Sequence, residues 1–141
     1  MISELEKIQR GIADALAESS MFAECGIYLR GGPAGAEKRK DAPSIAVSPP
    51  LPLKTAKKAQ SVVFDEAEVQ IEIKASRCGG ERDGSIWSIA EDVCRRVHNM
   101  RLSPGKNSGR ILLAENRPLE FSESGQEKII TIKFNIQGVF L

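Results

Sequence analysis

The sequence predicts a two-layer α+β domain in which two helices pack on one face of a mainly antiparallel sheet of four to five strands. Two segments place apolar residues three and four positions apart, which is the period of an amphipathic helix. Two others alternate apolar and polar residues, as a strand with one solvated face does. A length of 141 residues suits a single domain spanning 1–141.

The first helix is predicted near the N-terminus. Ser3 and Glu6 have the spacing of a capping box, and the serines at 19–20 mark its end. Its apolar positions are Ile2, Leu5, Ile8, Ile12 and Leu16. A short β-prone run then predicts a strand over about Cys25 to Leu29.

Residues 30–58, called the basic segment below, interrupt this order. Four of the seven prolines lie at positions 43–52, so little regular structure is expected apart from a short strand at Ser44–Val47. The net charge of the segment is +5, against +1 for the whole chain. An excursion of this length is usually functional or disordered, and the residues leave both readings open.

The centre of the chain predicts a strand followed by the second helix. Val62 to Phe64 and the alternating run from Val69 to Ile73 indicate the strand. A turn at 77–80 precedes Ser85, a candidate N-cap for a helix over about Ile86 to Met100. The apolar positions of this helix are Ile86, Ile89, Ala90, Val93, Val97 and Met100.

Two or three strands complete the chain. The residues at 111–114 predict one strand, Leu119 to Phe121 predict a short second one, and Ile130 to Ile136 alternate regularly enough to predict a third. Turns are expected at 116–118 and 122–126. These short connections favour antiparallel pairing, and two helices suffice to cover one sheet face. The opposite face is expected to be polar, since it carries Glu68, Gln70, Glu72, Lys133 and Gln137.

The composition excludes several classes of protein. A net charge of +1 provides no general attraction to nucleic acid or anionic lipid. Acidic residues interrupt the apolar positions at the start of the chain, so neither a signal peptide nor a membrane span is predicted. The odd number of cysteines, Cys25, Cys78 and Cys94, favours a reducing compartment, and the expected location is the cytoplasm.

The sequence contains no persuasive catalytic, cofactor or metal motif. Cys94 and His98 are one helical turn apart, but no third group is apparent that would orient the imidazole for nucleophilic catalysis. Gly105-Lys106 lacks the upstream glycine of a phosphate loop. The carboxylates at 66–72 and 120–127 lack metal-loop spacing. No enzyme activity, cofactor or metal is therefore expected.

The basic segment is the strongest candidate for a binding surface. Because it contains no aromatic residue, sequence-specific nucleic-acid binding is disfavoured. The open alternatives are contact with an acidic protein surface, contact with a second copy of the chain, and a plain mobile loop. Residues 115–127 have a net charge of −3 and offer a complementary surface on such a copy. The candidate interface residues are Arg30, Lys38, Arg39, Lys40, Lys54, Lys57, Lys58, Glu120 and Glu123.

The layout of the elements resembles that of the tail terminator, or tail completion, proteins of long-tailed bacteriophages and prophages. The resemblance is carried by four segments that span most of the chain: Leu5 to Leu16, Val69 to Ile73, Ser85 to Val93, and Ile129 to Ile136. The shared layout has a helix at the N-terminus, a long central excursion and a final long strand, but the proline-rich basic sequence of the excursion does not align with the family.

This resemblance implies a non-enzymatic assembly protein. Such a subunit forms a hexameric ring on the last ring of the tail tube, stops tube polymerisation and provides the surface that joins the head. The implied partners are further copies of the chain, the tail tube protein and a head–tail connector protein, first in the bacterial cytoplasm and then in the virion tail. The alternative is a bacterial binding module that uses the basic segment to contact nucleic acid or an acidic protein, and a third reading is a small cysteine-dependent enzyme.

Overall fold

The structure is a computed structural model that describes residues 3–23, 25–30, 43–55, 63–76, 85–101, 110–125 and 127–140. Its helices are α1 (Glu4–Glu18) and α2 (Ser85–Val97), and a single 3-10 turn, Ser20–Phe22, follows α1. Its strands are β1 (Gly26–Leu29), β2 (Ser44–Val47), β3 (Leu51–Thr55), β4 (Val63–Ser76), β5 (Met100–Arg101), β6 (Arg110–Leu113), β7 (Leu119–Ser124) and β8 (Glu127–Phe140).

The sheet is built around the long antiparallel pair β4 and β8, whose register runs from Val63 opposite Phe140 to Ser76 opposite Glu127. Strands β2 and β3 both pair with the outer side of β4, while β6 and β7 both pair with the outer side of β8. Strand β1 extends the sheet beyond β2, and β5 extends it beyond β6. All pairings are antiparallel except that of β1 with β2.

Alternate residues of the central strands form the core. Across the sheet, Ile45 lies opposite Ile73, which lies opposite Ile130; the next row contains Val47, Ile71 and Ile132. These side chains are fully buried because their face of the sheet is covered by both helices. The helical residues in the same cluster are Ile8, Ile12, Ala13, Leu16, Ile86, Ala90, Val93 and Val97. The predicted amphipathic faces of both helices are thus confirmed.

The two helices are joined by a polar contact at the end of α1. The Nε of Arg96 donates to the carbonyl oxygen of Ala15 at 3.3 Å. Ala15 is in the last turn of α1, where carbonyl groups lack partners within the helix. At the other end, the hydroxyl of Ser3 accepts from the backbone N–H of Glu6, which confirms the predicted N-cap.

The α+β class and the predominance of antiparallel pairing are confirmed, but the predicted number of strands is wrong. The described residues form eight strands instead of four to five. One unexpected strand is β3, which lies within the basic segment and contains Pro52. Because β3 pairs with β4 alone, Pro52 does not interrupt a second ladder, and an edge strand tolerates it.

Strands β2 and β3 pair with successive parts of β4 and are separated by Ser48, Pro49 and Pro50. Ser48 keeps this connection hydrogen-bonded to β4. Its backbone N–H donates to the carbonyl oxygen of Gln70, and its hydroxyl accepts from the backbone N–H of Gln70, both at 2.9 Å. The side chain of Ser48 therefore satisfies a backbone donor of β4 where the following prolines provide no N–H. Both β2 and β3 can therefore pair with the same long strand, although two prolines separate them.

Two predicted boundaries near α2 and β7 are also wrong. Helix α2 ends at Val97 instead of Met100, because Asn99 has a left-handed backbone conformation with φ of 68° and Met100 already belongs to β5. Strand β7 continues to Ser124, so the turn predicted at 122–126 is confined to fewer residues and includes Gly125 at φ of 59°. The turn predicted at 77–80 and the greater part of the basic segment lie outside the described residues.

Candidate interface surfaces

Four of the nine predicted interface residues lie in the described part of the chain, and they belong to two different regions of the sheet. Arg30 follows β1 and Lys54 lies in β3, whereas Glu120 and Glu123 lie in β7 on the other side of the central pair. The remaining five lie outside the described residues: Lys38, Arg39, Lys40, Lys57 and Lys58. Within one copy, the two described basic candidates, Arg30 and Lys54, therefore lie in or beside strands on the other side of the central pair from Glu120 and Glu123.

Arg30 takes part in a charged group on the face of the sheet opposite the helices. Its guanidinium lies 3.7 Å from the carboxylate of Glu72, and the ammonium of Lys74 lies 3.3 Å from the same carboxylate. The Arg30 side chain is 57% exposed, so this pairing contributes little to stability and leaves the guanidinium accessible.

The backbone of Arg30 is held more firmly than its side chain. Gln9 of α1 is buried, and its Nε2 donates to the carbonyl oxygens of Arg30 at 2.8 Å and Val47 at 2.7 Å. The backbone N–H of Arg30 also donates to Val47 at 2.8 Å. These bonds tie α1 to the ends of β1 and β2. They were not predicted from the sequence, and a single glutamine on the inner face of an amphipathic helix is the only signal of them.

Glu120 has a partner within its own chain. The ammonium of Lys133 lies 2.9 Å from its carboxylate, across the pairing of β7 with β8. This hydrogen bond and the charge of Lys133, with a smaller contribution from Arg117, hold the pKa of Glu120 below its ordinary value. Glu120 consequently stays ionised to lower pH than a lone carboxylate, but part of its charge is already balanced.

The face of the sheet opposite the helices is polar, as predicted. Along β4 this face carries Glu68, Gln70 and Glu72, which lie opposite Asn135, Lys133 and Thr131 of β8. These six residues are partly exposed, and neither helix packs on them. The face carries charges of both signs and no described group of three or more histidine, cysteine, aspartate or glutamate side chains suited to a metal ion.

Cys94 and His98 do not have the arrangement of an activated nucleophile and base. Partial burial and, secondarily, the carboxylate of Glu91 raise the pKa of the Cys94 thiol, which opposes thiolate formation, although Arg95 acts in the other direction. The Nδ1 of His98 accepts the backbone N–H of Leu113 at 2.9 Å. The imidazole thus connects the end of α2 to β6.

An exposed aromatic pair lies at the opposite edge of the sheet from β3. Trp87 in the first turn of α2 stacks on Phe121 of β7, with ring centroids 5.3 Å apart and an interplanar angle of 29°. Both remain about half exposed, at 45% and 44%. The sequence analysis overlooked them, although Trp87 lies outside the predicted apolar stripe of its helix, which is a signal of a surface role.

A second exposed apolar pair, Leu51 and Leu53, lies on β3, and each side chain is 55% exposed. Among the described residues, the remaining large hydrophobic side chain with comparable exposure is Met21, in the 3-10 turn after α1. Single exposed apolar residues are common on protein surfaces, whereas adjacent ones more often mark an interaction site.

The described residues thus define a class of fold: a helix-covered, largely antiparallel sheet with charged and apolar groups at its edges. Neither helix is long and apolar enough to cross a membrane. No family model and no curated protein matches the chain.

Among solved structures, the fold is similar to that of a chain in the virion of a native gene transfer agent particle. The TM-score is 0.73, the sequence identity is 9%, and the match covers 98% of each chain. At this identity the similarity establishes the fold. It extends over almost the whole of both chains, so the two share the overall fold.

Proposed function

We propose that the protein is a structural subunit of a tailed virion and acts there as a tail terminator. The observation that carries the proposal is the fold shared over 98% of the chain with a component of a gene transfer agent virion. The layout of helices and strands that resembles tail terminator proteins supports the more specific role. In this role the subunits form a ring, because a closed ring can match the rotational symmetry of a tube and so cap its end.

The proposed partners are further copies of the chain, arranged as a hexameric ring, the tail tube protein and a head–tail connector protein. A ring subunit needs one pair of surfaces for its neighbours and others for the structures above and below it. The described part of the chain offers separate surfaces of this kind, namely the two sheet edges and the polar face. The proposed location is the host cytoplasm before assembly and the virion tail afterwards.

The proposal assigns the chain no catalytic role and no cofactor. The raised pKa of Cys94 and the use of the His98 Nδ1 by the backbone of Leu113 both speak against the cysteine-dependent reading. A test of that reading is the rate of alkylation of Cys94 at neutral pH. A rate above that of an ordinary cysteine would contradict the assignment.

The role is tested by deleting the gene in a host that produces the particles and measuring tails by electron microscopy. We expect tubes of uncontrolled length that do not join heads, with normal particles restored by the wild-type gene. A gold-labelled copy of the protein is expected at one end of each tail. Particles of normal length without the gene, or label along the whole tube, would contradict the proposal. Salt-sensitive retention of the protein on DNA, with normal tails in the deletion, would favour the nucleic-acid alternative instead.

A further inference from the structure

His98, the single histidine of the chain, lies where the end of α2 meets β6. Its Nδ1 accepts the backbone N–H of Leu113 at 2.9 Å. The next residue, Ala114, donates in the other direction, to the carbonyl oxygen of Lys133 on β8 at 3.0 Å. Because successive residues of a strand direct their backbone groups to opposite edges, Leu113 presents its N–H at the edge away from β8, and His98 satisfies it there.

The imidazole takes the place that a backbone carbonyl of a longer β5 would occupy. Strand β5 has only two residues, 100–101, paired with β6. The backbone N–H of Asn99 adds a bond to the carbonyl oxygen of Ile111 at 2.7 Å. Continuing the same register would bring His98 opposite Leu113, but the backbone N–H of His98 still belongs to the last turn of the helix. The side chain therefore supplies the acceptor.

This bond requires an unprotonated Nδ1. An imidazole nitrogen accepts a hydrogen bond only while it carries no proton, and the protonated ring is a donor at both nitrogens. In the bonded arrangement the proton of the neutral ring is therefore on Nε2. A second proton, on Nδ1, would set two donors, the ring and the backbone N–H of Leu113, against each other.

Among the described residues, nothing compensates a positive charge on this ring. The titratable and charged groups on the elements around it are Cys94 and Arg95 on α2, Arg101 on β5, Arg110 on β6, Glu115 just after β6 and Lys133 on β8. In the described part of the chain, none of these groups forms a hydrogen bond or an ion pair with the imidazole. Four of the six are basic, so a proton on His98 costs the bond to Leu113 without adding an ion pair to any of them.

We propose that His98 is an acid-sensitive link between α2 and β6, which the neutral imidazole closes and a proton on Nδ1 opens. Histidine changes charge between about pH 5 and about pH 8. As the pH falls through this range, the proton binds the lone pair that had accepted from Leu113, and the N–H of Leu113 turns to water. The two-residue β5 loosens with the link, because few other bonds hold it to β6. The inference concerns the folded chain itself and is independent of the proposed function.

Amide hydrogen exchange followed by NMR tests the link. The ratio of the intrinsic to the measured rate at each pH gives a protection factor, which removes the ordinary effect of pH on exchange. We expect the protection factor of Leu113 to fall about 2- to 10-fold between about pH 8 and about pH 5, as the loss of one hydrogen bond implies. That of Asn99 is expected to fall with it. Ala114 is the internal control, because its N–H is bonded to a backbone carbonyl, which does not titrate in this range.

Two substitutions separate the effect of the proton from that of the side chain. His98→Asn places an amide oxygen near the position of Nδ1, and this oxygen accepts at every pH, so the protection of Leu113 is expected to stay high and constant. His98→Leu has no acceptor, and the protection is expected to be low at both ends of the pH range. Circular dichroism and melting temperature establish that each variant is folded. The titration of the wild type decides the question even where a variant is not.

The nitrogen-15 shifts of the wild-type imidazole show which ring nitrogen carries the proton, and we expect Nε2 at about pH 8. A proton on Nδ1 at this pH, or protection of Leu113 that stays constant while the imidazole titrates, would overturn the inference. An equal loss of protection at Ala114 would overturn it in favour of general unfolding in acid. A pH dependence that persists in His98→Asn would assign the effect to another group.

Discussion

At the scale of single residues, the described contacts hold the fold together more than they prepare it for chemistry. Gln9, Ser48 and His98 all use a side chain to satisfy a backbone group of another element. Buried backbone groups without a partner are costly, so residues of this kind fix where neighbouring elements meet. Their polarity therefore reflects structural roles.

Replacing Gln9 with leucine tests the tie between α1 and the strands. The variant loses the donor shared by the carbonyls of Arg30 and Val47, and we expect the free energy of unfolding to fall by about 1–3 kcal/mol. The measurement is urea denaturation at neutral pH. Arg10→Leu on the exposed side of the same helix is the control and should change the stability by no more than about 0.5 kcal/mol. An equal, small effect of both changes would show that the Gln9 bonds are dispensable.

The ionisation of Cys94 is expected to lower the free energy of unfolding at alkaline pH. Because its pKa is raised in the folded chain, the folded state keeps a proton that the unfolded state loses, so stability decreases as pH rises above the unfolded pKa. We expect Cys94→Ala to lose less stability than the wild type between about pH 8 and about pH 10. Denaturation at matched ionic strength measures this. Parallel pH profiles for the two proteins would contradict the prediction.

At the scale of elements, the ends of helices and strands depend on backbone conformation as much as on hydrophobicity. Helix α2 retains the apolar period up to Met100 but stops at Val97, because Asn99 turns the chain into β5. The backbone N–H of Asn99 then donates to the carbonyl of Ile111 at 2.7 Å, which starts the pairing with β6. One left-handed residue thus converts a helix into a sheet edge.

Substitutions at Asn99 are expected to follow the steric demand of that conformation. Asn99→Val should lower the free energy of unfolding by about 1–2 kcal/mol, since a β-branched residue strongly disfavours a positive φ. Asn99→Gly should be close to neutral or stabilising, because glycine adopts this conformation without strain. Thermal denaturation of both variants checks the prediction. Equal losses in the two would indicate that the asparagine side chain, and not the backbone, is what matters.

At the scale of the whole molecule, charge is separated along the sequence although its sum is near zero. The basic segment and residues 115–127 have opposite net charges, and the chain as a whole carries +1. Such a distribution steers the approach of two copies more than it adds to the strength of their contact.

Reversing the charge of Lys38, Arg39 and Lys40 to glutamate is expected to weaken self-association, because the basic segment then changes from +5 to −1. Wild-type association should also weaken as salt is raised, while that of the variant should respond less. Light scattering over a range of concentrations measures both effects. Unchanged assembly of the triple variant would reject a role for these side chains, and Arg10→Glu on α1 controls for a general effect of charge.

The α+β class, both helices and most strands follow from the sequence, because apolar residues repeat with the period of the element that buries them. The N-cap at Ser3 and the strand at Ile130 to Ile136 could be predicted from neighbouring residues alone. The strand β3 was missed because Pro52 argues against a central strand, and only the pairing partner reveals that β3 lies at an edge.

The composition of each surface also depends on tertiary structure, because residues far apart in the sequence meet there. Lys133 neutralises part of Glu120, and Trp87 stacks on Phe121, across distances in sequence that no local pattern spans. The sequence by itself determined which faces of the helices and strands are buried, since burial follows from hydrophobic periodicity within each element. Which residues share an edge, and so which surfaces are available to a second copy, was decided only when the long-range pairing of β4 with β8 set the register of everything beside them.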